Sequence, residues 1–232
     1  MRDHLQAVER ANASVLDPVA RKLHAVVRAD GLVYVAGTGH SLALVQECFY
    51  RAGGLACVYP IYHPALLPLE GGVVSTIEER VPGLGRLLVE RIPSGSSDLA
   101  FVFSNSGVNP VPVEIAEEFK KKGTPVVGVV SRDHMARAPA RHPRKLGDVA
   151  DYLIDTLVPY GDAAYDTGGG VTTMPLSSLT SIYLWNLLLV RVAEIAGPQG
   201  GQLPLWTSAN VEGGEERNRV LLERYRKHVP HL

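Results

Sequence analysis

This 232-residue sequence has few cysteines and few aromatic residues, and neither sign of charge is in clear excess. Its only two cysteines, Cys48 and Cys57, exclude a disulfide framework and a structural zinc site. Their apolar neighbours predict that both are small core residues. The formal net charge is −1, which argues against attachment to nucleic acid or to an anionic membrane by net charge, although a local basic patch remains compatible with it.

Long hydrophobic runs are also missing. The longest apolar stretch, residues 182–190, contains Asn186 and is shorter than the roughly 20 residues of a membrane-spanning helix. Residues 1–4 do not resemble the start of a signal peptide. The composition, 46% hydrophobic and 20% charged, is that of a soluble globular protein. We therefore expect a cytoplasmic protein with one domain over residues 1–232, an N-terminal helical segment 1–30 and a C-terminal extension 198–232.

Short apolar runs alternate with amphipathic stretches along the chain. The apolar runs predict strands at 32–36, 55–59, 99–103, 125–130 and 152–154. The periodic stretches predict helices within 1–30 and at 41–52, 81–92, 111–122, 174–196 and 215–226. This alternation predicts an α/β fold, with a mainly parallel sheet between two layers of helices.

Three stretches are harder to interpret. Pro18 predicts a break or kink of the first helix near Asp17. Residues 60–80 match no clear pattern. Residues 132–147 form a long irregular stretch, which is either functional or mobile.

Two polar turns each lie between a predicted strand and a helix, at residues 37–41 and 104–109. In a parallel sheet, ligands bind beyond the carboxyl ends of the strands. Glycines allow a close backbone approach, and hydroxyl and free amide groups at a helix N-terminus bind anions. Ser104, Ser106 and Asn109 could therefore surround one phosphate. Alternatively, Ser104 or Ser106 only caps the following helix.

Nucleotide motifs do not fit these turns. A P-loop needs lysine followed by serine or threonine, and neither turn has that pair. A dinucleotide fingerprint needs a third glycine and a later acidic residue, but Leu42 and Tyr59-Pro60 occupy those positions. A flavin-binding, flavodoxin-like scaffold remains a separate alternative.

The two turns resemble the sugar isomerase (SIS) family, which has a Gly-x-Gly-x-Ser turn after its first strand and a Ser-x-Ser-Gly-x-polar turn after a later strand. Residues 175–181, Pro-Leu-Ser-Ser-Leu-Thr-Ser, are similar to the family's third ligand-contacting turn. The resemblance implies a five-stranded parallel sheet in a three-layer αβα sandwich. It also implies phosphosugar binding, with the phosphate on the turn at residues 104–109, which we call the serine turn. It implies these ligand-contacting residues: Gly39, Ser41, Ser104, Asn105, Ser106, Gly107, Asn109, Ser177 and Ser178.

A closer resemblance is to stand-alone SIS proteins. They carry Gly-His-Ser, a glutamate, Tyr-Arg-Ala-Gly-Gly-Leu and a late segment, which correspond here to His40-Ser41, Glu47, residues 50–55 and residues 209–216. The family implies homodimers or homotetramers that share active sites between subunits, and it includes enzymes and sugar-phosphate sensors. We see no DNA-binding segment before Gly31, which makes a transcriptional regulator less favoured.

Isomerisation and elimination of a C3 substituent both begin when a base removes the proton at C2. A carboxylate can do so if burial raises its pKa towards neutrality. Glu47 is the first candidate, because the family often places a catalytic glutamate on the helix that follows the turn at 37–41. Glu79, with its neighbour Glu78, is the second, because etherases of the family use a further glutamate from the segment after the second strand. His40 could open the sugar ring or contact a hydroxyl group. Each candidate also has a purely structural alternative. Glu47 could form an ion pair with Arg51, and Glu79 could belong to a solvated charge cluster. His40 could be a partly exposed histidine of the turn.

Charged segments elsewhere leave alternatives open. Arg132, Arg137, Arg141, Arg144 and Lys145 could form a lid that draws in an anionic substrate, or a solvated loop. Glu212, Glu215 and Glu216 could reach a neighbouring subunit's site, or favour a helix N-terminus.

Some activities of the family do not transfer. Leu179 stands where glucosamine-6-phosphate synthase has a ring-opening lysine, and residues 174–196 lack the histidine of phosphoheptose isomerase. His63, His134 and His142 have no metal-ligand spacing, so we expect no metal and no cofactor.

We expect an aldose–ketose isomerase that acts on a hexose or (N-acetyl)hexosamine 6-phosphate. The alternatives are an etherase-like lyase or dehydratase acting on an N-acetylhexosamine 6-phosphate, and a non-catalytic phosphosugar sensor. We expect no nucleic-acid or membrane partner.

Overall fold

A five-stranded parallel sheet forms the centre of the chain in the computed structural model, which describes residues 1–198 and 203–232. The strands are β1 (Val33–Gly37), β2 (Val58–Ile61), β3 (Leu99–Phe103), β4 (Val126–Val130) and β5 (Tyr152–Asp155). Their order in the sheet is β2-β1-β3-β4-β5, and every neighbouring pair is parallel. The predicted α/β fold with five parallel strands is confirmed.

Helices cover both faces of this sheet. They are α1 (Arg2–Ala11), α2 (Ala13–Arg28), α3 (Leu42–Cys48), α4 (Gly72–Glu78), α5 (Leu84–Val89), α6 (Pro110–Lys121), α7 (Arg132–Arg137), α8 (Leu146–Val149), α9 (Ser177–Ala196) and α10 (Gly214–Tyr225). Helices α2 and α3 contact the sheet and pack with α9, whereas α6 and α8 contact it from the second helical group, in which α6 packs with α5. This is the predicted three-layer sandwich.

Apolar strands account for the core. Every residue of β1, β3 and β4 is buried, as expected for strands covered on both faces. Cys48 and Cys57 are both buried and unpaired, which confirms their predicted place in the core. Burial raises the pKa of the Cys57 thiol to about 12 and that of Cys48 above its ordinary value, so both thiols stay protonated.

Several predicted boundaries are wrong for local reasons. Helix α3 ends at Cys48 rather than Ala52, because Phe49 is extended and Tyr50 has a φ of +44°. Strand β2 continues through Pro60, which is tolerated because β2 is an edge strand. Helix α5 begins at Leu84 instead of Val81, after Gly83 with a φ of +89°.

The N-terminal helix breaks at Asn12, not near Asp17 as Pro18 predicted. Pro18 lies inside α2. Asn12 is buried; its amide nitrogen donates to the carbonyls of Val8 and Asp155, each at 2.7 Å, and its amide oxygen accepts from the Asp155 N–H at 2.8 Å. Asn12 therefore joins the bend between α1 and α2 to the end of β5.

Replacing Asn12 with alanine should lower the free energy of unfolding by about 1–3 kcal/mol, because it leaves the half-buried backbone N–H and carbonyl of Asp155 without their partner. Urea unfolding of Asn12→Ala against wild type measures this. Gln6→Ala, at an exposed position of α1, is the control and should change stability by less than about 0.5 kcal/mol. Equal losses in the two variants would contradict the assigned role of Asn12.

An antiparallel hairpin precedes α9 and was not predicted. It consists of β6 (Ala163–Asp166) and β7 (Thr172–Pro175). Because Met174 belongs to β7, α9 begins at Ser177 instead of Met174. The stretch 132–147, predicted as irregular, contains α7 and the start of α8.

Helix α9 corrects the expectation that no segment is long enough to cross a membrane. It has 20 residues and a mean hydropathy of 1.4, enough by length and composition. The core helix of a soluble protein meets the same criteria, and here Trp185, Leu188 and Val192 of α9 belong to the hydrophobic core.

Candidate active site

The two polar turns leave the sheet side by side. Gly37 at the end of β1 is in register with Phe103 at the end of β3, so the following residues, Thr38 and Ser104, start from neighbouring strands. Strand β2 lies on one side of β1, and β3 lies on the other, so the strand order reverses between β1 and β3. α/β sheets bind ligands at such a switch point. The sequence-predicted turns therefore meet at the expected edge.

A cavity of about 400 Å³ lies between these turns. This volume is within the range of small-molecule sites, about 300–1,000 Å³. The cavity is lined by Thr38, Gly39, His40, Ser41, Pro68, Gly72, Ser75, Thr76, Glu79, Ser104, Asn105, Ser106, Asn109, His134, Arg141, Asp162 and Ser177. Most of these residues carry polar side chains.

Most residues that the sequence predicted as catalytic or ligand-contacting line this cavity, and four do not. Those in the lining are Gly39, His40, Ser41, Glu79, Ser104, Asn105, Ser106, Asn109 and Ser177. Those outside it are Glu47, Glu78, Gly107 and Ser178. Gly107 still supports the serine turn, because its N–H donates to the Ser104 hydroxyl at 3.2 Å.

The serine turn does not cap α6. Asn109 is the residue that precedes this helix, and its side chain makes no capping hydrogen bond. The Ser104 hydroxyl instead accepts the Gly107 N–H within the turn. The alternative that Ser104 or Ser106 serves only as a helix cap is therefore wrong.

The free N–H groups of this turn belong to the backbone before the helix, not to its first turn as expected. Pro110 and Pro112 have no N–H, and the Val111 N–H already donates to the Glu79 carbonyl at 3.3 Å. In the part of the chain that the structure describes, the N–H groups of Asn105 and Ser106 have no hydrogen-bond partner. Free N–H groups in a tight turn favour an anion.

Glu79 brings a carboxylate into the same cavity. It directly follows α4, and its Oε2 accepts a hydrogen bond from the Thr38 hydroxyl at 2.8 Å. The Val111 contact fixes its backbone against the start of α6. Glu79 is thus held between the two turns, whereas its neighbour Glu78 is not part of the lining.

The turn at residues 37–41, the glycine turn, needs its two glycines for different reasons: lack of space at Gly37 and a left-handed backbone at Gly39. A Cβ at Gly37 would lie 2.6 Å from the Ser41 carbonyl oxygen. Gly39 has a φ of +56°, and a Cβ there would lie 3.9 Å from Glu79 Oε2. These glycines let His40 and Ser41 form the cavity wall next to the Glu79 carboxylate.

Glu47 lies away from the cavity of its own chain. Arg51 donates a hydrogen bond to its carboxylate, and Asn186 of α9 donates another at 3.2 Å. This is the ion pair that the sequence offered as the structural alternative. The geometry therefore separates the two candidate bases, with only Glu79 inside this cavity.

One residue of the basic stretch faces the cavity. Arg141 lines it and donates from Nη1 to Asn109 Oδ1 at 3.1 Å, and no carboxylate among the described residues pairs with it. The others are bound elsewhere: Arg132 to Asp155, Arg137 to Asp133, Arg144 to Glu117 and Lys145 to the Met135 carbonyl. An unneutralised guanidinium beside Asn109 favours an anion.

His134 and Asp162 also line the cavity, although no sequence pattern indicated a role for them there. Asp162 follows β5 and precedes the unpredicted hairpin. Its carboxylate accepts from the Ser177 hydroxyl at 2.6 Å and from the Ser177 N–H at 2.9 Å, so it holds the start of α9. Burial lowers the pKa of His134 despite the opposing effect of Asp162. The only sequence signal was the position of His134 four residues after an apolar strand.

No cluster of three or more metal-ligating side chains occurs within residues 1–198 and 203–232.

The C-terminal segment contacts the body of the protein. The Trp206 N–H donates to the Gly54 carbonyl, and the Gly53 N–H donates to the Trp206 carbonyl. The motif at residues 50–55 therefore contacts the chain just before the motif at 209–216. That Glu212, Glu215 and Glu216 reach a neighbouring subunit's site stays a prediction.

Comparisons with known proteins agree with this architecture. A sequence profile of the SIS domain matches residues 1–131. A UPF0309 protein from Brucella abortus strain S19 is 36% identical over 222 residues, covering 95% of this chain and 90% of that protein. UPF0309 proteins from Brucella canis and Brucella ovis are 36% and 35% identical, with the same coverage.

Solved structures share the fold at low sequence identity. Phosphoheptose isomerase GmhA from Neisseria gonorrhoeae matches with a TM-score of 0.57 and 14% identity, over 83% of this chain and 92% of that chain. NanR from Vibrio vulnificus, complexed with ManNAc-6P, matches with a TM-score of 0.51 and 15% identity, over 95% of this chain and 65% of that chain.

Proposed function

This chain belongs to the SIS domain family, and from that premise we propose that it is an enzyme that takes the C2 proton of a hexose or (N-acetyl)hexosamine 6-phosphate. Its fold is that of a phosphosugar isomerase. The favoured reaction is aldose–ketose isomerisation. Elimination of a C3 substituent from an N-acetylhexosamine 6-phosphate is the alternative that begins with the same step.

One observation carries this proposal: a phosphate-sized donor set and a carboxylate share one cavity. The unpaired N–H groups of Asn105 and Ser106, the serine hydroxyl groups and the Arg141 guanidinium would hold the phosphate dianion. Glu79 lies in the same lining and would reach a carbon of the sugar. A cavity that only bound phosphate would not need this carboxylate.

Glu79 is the base in the proposed mechanism. It takes the proton from C2 of the open-chain aldose; the C2–H electron pair forms the C1–C2 double bond, and the carbonyl electrons move to O1. The proton on O2 passes to O1, and protonated Glu79 returns its proton to C1, which leaves a ketone at C2. In the elimination, the electron pair on O1 re-forms the C1 carbonyl, a C2–C3 double bond forms, and the C3 substituent leaves with the proton that Glu79 holds. His40 and Ser41 are placed to contact sugar hydroxyl groups.

Glu47 would act as the base only in the cavity of another subunit, since it does not line the cavity of its own chain. We propose a homodimer or homotetramer. Exposed apolar side chains on α4 and α9 support such an assembly, because large apolar patches mark contact surfaces; these are Val73, Val74, Ile77, Val190 and Ile195.

A phosphosugar sensor is the second candidate. The NanR protein shares this fold and was crystallised with ManNAc-6P. In a sensor the same serine turn would bind the phosphate, but Glu79 would remove no proton. A cytoplasmic location, no cofactor and no nucleic-acid or membrane partner remain predictions for both functions.

Incubation with a panel of aldose, ketose and N-acetylhexosamine 6-phosphates in deuterated water tests the function. We expect NMR to show exchange of the C2 hydrogen in at least one sugar, followed by a ketose or an unsaturated product. Binding of a sugar phosphate without exchange would establish the sensor instead. Lack of any binding would refute both functions.

Replacing Arg141 with glutamine should weaken sugar phosphate binding about 10- to 100-fold, because a hydrogen bond to a charged group contributes about 1.5–3 kcal/mol. Isothermal titration of wild type and variant measures the Kd. Arg144→Gln is the matched control from the same stretch: its guanidinium pairs with Glu117 outside the cavity, so its Kd should not change. An equal effect of the two substitutions would contradict a direct role for Arg141.

A further inference from the structure

His134 is held in the cavity wall by contacts on several sides. It lies in the first turn of α7, where its backbone N–H donates to the Ser131 hydroxyl at 3.1 Å. Its ring packs against the Tyr160 ring at 5.1 Å between centroids, and the Arg137 guanidinium covers Tyr160 at 4.3 Å. The Tyr160 N–H in turn donates to Asp133 at 3.1 Å. The imidazole is therefore positioned before any ligand binds.

The contact with Asn105 determines which ring nitrogen carries the proton. Asn105 Nδ2 donates to His134 Nδ1 at 3.3 Å, while Asn105 Oδ1 accepts from the Thr156 hydroxyl at 3.4 Å. Because Nδ1 accepts, a neutral ring carries its proton on Nε2. No described residue hydrogen-bonds to Nε2, so this N–H is available to a ligand.

Charges around His134 oppose each other. Burial, the largest effect, lowers its pKa below the ordinary value of 6.5, and Arg137 lowers it as well. Asp162, across the cavity wall, and Asp133, on the same helix, raise it by less. The ring is therefore neutral at pH 7. A neutral imidazole can act as a hydrogen-bond donor to a carbonyl oxygen.

His134 contacts the serine turn through the Asn105 side chain, and its donor chemistry, not its distance from that turn, indicates what it would contact. Arg141 is bonded to Asn109, at the helix end of the serine turn, and its charge favours the phosphate there. His134 shares the lining with Asp162, which precedes α9, and with Ser177, the first residue of α9. A neutral donor suits a sugar oxygen better than a phosphate dianion, which prefers cationic donors.

We propose that His134 is a catalytic residue whose Nε2–H donates a hydrogen bond to the C1 carbonyl oxygen of the open-chain sugar phosphate. This assignment rests on the proposed function. When the base removes the C2 proton, negative charge develops on O1, and a donor fixed in advance stabilises it. His134 gives up no proton in this step, so the proton balance of the isomerisation is unchanged.

Acid should disable this interaction. Protonation of Nδ1 would place its new N–H against the Asn105 Nδ2 donor and break the contact that orients the ring. The neutral form is present above the pKa of His134 and is lost as the pH falls through it, in the range below 6.5. The exchange rate should therefore have an acid limb in that range, and this limb should be absent from variants without the imidazole.

Replacing His134 with alanine should slow C2 hydrogen exchange about 100-fold, while the affinity for inorganic phosphate changes less than twofold. His134→Gln, which keeps an N–H donor, should recover part of the rate. His142→Ala is the control, because His142 lies outside the lining and contacts Arg144 and Glu117. Its exchange rate should equal that of wild type.

Each other outcome overturns the assignment. Unchanged exchange in His134→Ala, or a loss of phosphate affinity equal to the loss of exchange, would mean that His134 only supports the turn through Asn105. If wild type exchanges no sugar, the proposed function fails and the catalytic role with it.

Imidazole ¹⁵N spectra of the wild-type protein provide a second test that needs no variant to fold. The proposal expects neutral Nε2–H at pH 7 and a shift of that signal with a sugar phosphate but not with inorganic phosphate. An Nδ1–H tautomer, or no shift with a sugar phosphate that the enzyme turns over, would refute it.

Discussion

Glu79→Gln should slow C2 hydrogen exchange by about 10²–10⁴-fold, the usual contribution of a positioned acid–base group, with little change in sugar phosphate affinity. Glutamine keeps the size of the side chain and can still accept the hydrogen bond that the Thr38 hydroxyl gives to Oε2. It cannot take a proton from carbon. NMR measures the effect as the rate of deuterium incorporation at C2, under single-turnover and steady-state conditions.

Glu78→Gln is the matched control for this experiment. Glu78 precedes Glu79 at the end of α4 but does not line the cavity, so its removal should leave the rate within about twofold of wild type. If Glu79→Gln retains wild-type exchange, Glu79 is not the base.

Glu47→Gln distinguishes the two carboxylates. If it abolishes exchange while Glu79→Gln does not, the base comes from another subunit. Mixed assemblies then provide a direct test, in which protomers carrying Glu47→Gln are combined with protomers carrying Arg141→Gln. Activity should return, because a cavity with an intact Arg141 can receive an intact Glu47 from the neighbouring protomer. With Glu79 as the base, mixing should restore nothing beyond the sum of the two variants.

Gly107→Val should lower sugar phosphate affinity at least about 100-fold and also lower the melting temperature. Gly107 has a φ of +60°, where a β-branched residue is strained. A Cβ there would lie 3.0 Å from Met135 Sδ and 3.3 Å from Val130 Cγ1. The substitution would displace the N–H that the Ser104 hydroxyl accepts and distort the turn that presents the free N–H groups. Titration calorimetry and thermal unfolding measure the two effects.

Gly123→Val separates backbone strain from loss of the site. Gly123 has a similar φ of +78°, but no atom lies within 4 Å of a Cβ built there, and it follows α6 at the opposite end from the serine turn. This variant should lose stability through strain alone and bind sugar phosphate with wild-type affinity. If Gly107→Val also binds normally, the serine turn does not hold the phosphate.

The central strands could be predicted from sequence because burial on both faces requires a continuous run of apolar residues. Such a run can be recognised without knowing which strands lie beside it. The runs at 99–103 and 125–130 are almost uninterrupted apolar residues, and β3 and β4 lie within them. Helix α6 was predictable for a similar reason: its apolar period and the following Gly123 are both local. Edge elements were less predictable, since β2 contains Pro60, which the absence of a second neighbouring strand permits.

Long-range contacts account for the features that local sequence signals could not predict. Pro18 is a local signal for a break, but the break occurs at Asn12 because its side chain bonds to Asp155, 143 residues away. The base assignment had the same difficulty: Glu47 and Glu79 both follow predicted strands, and only the folded chain shows that one faces Arg51 and Asn186 and the other faces the cavity. His134 and Arg141 belong to a stretch without periodicity, so nothing local indicated which way they would point.

The sequence by itself determined the layered α/β architecture, the buried thiols and the two polar turns, because apolar runs, glycines and serines act through neighbours a few residues away. Only the tertiary structure decided that these turns enclose one cavity, that Glu79 rather than Glu47 lies within it, and that His134 and Arg141 complete its wall. Those outcomes depend on strand order and on contacts between residues far apart in the chain, which sequence periodicity does not encode.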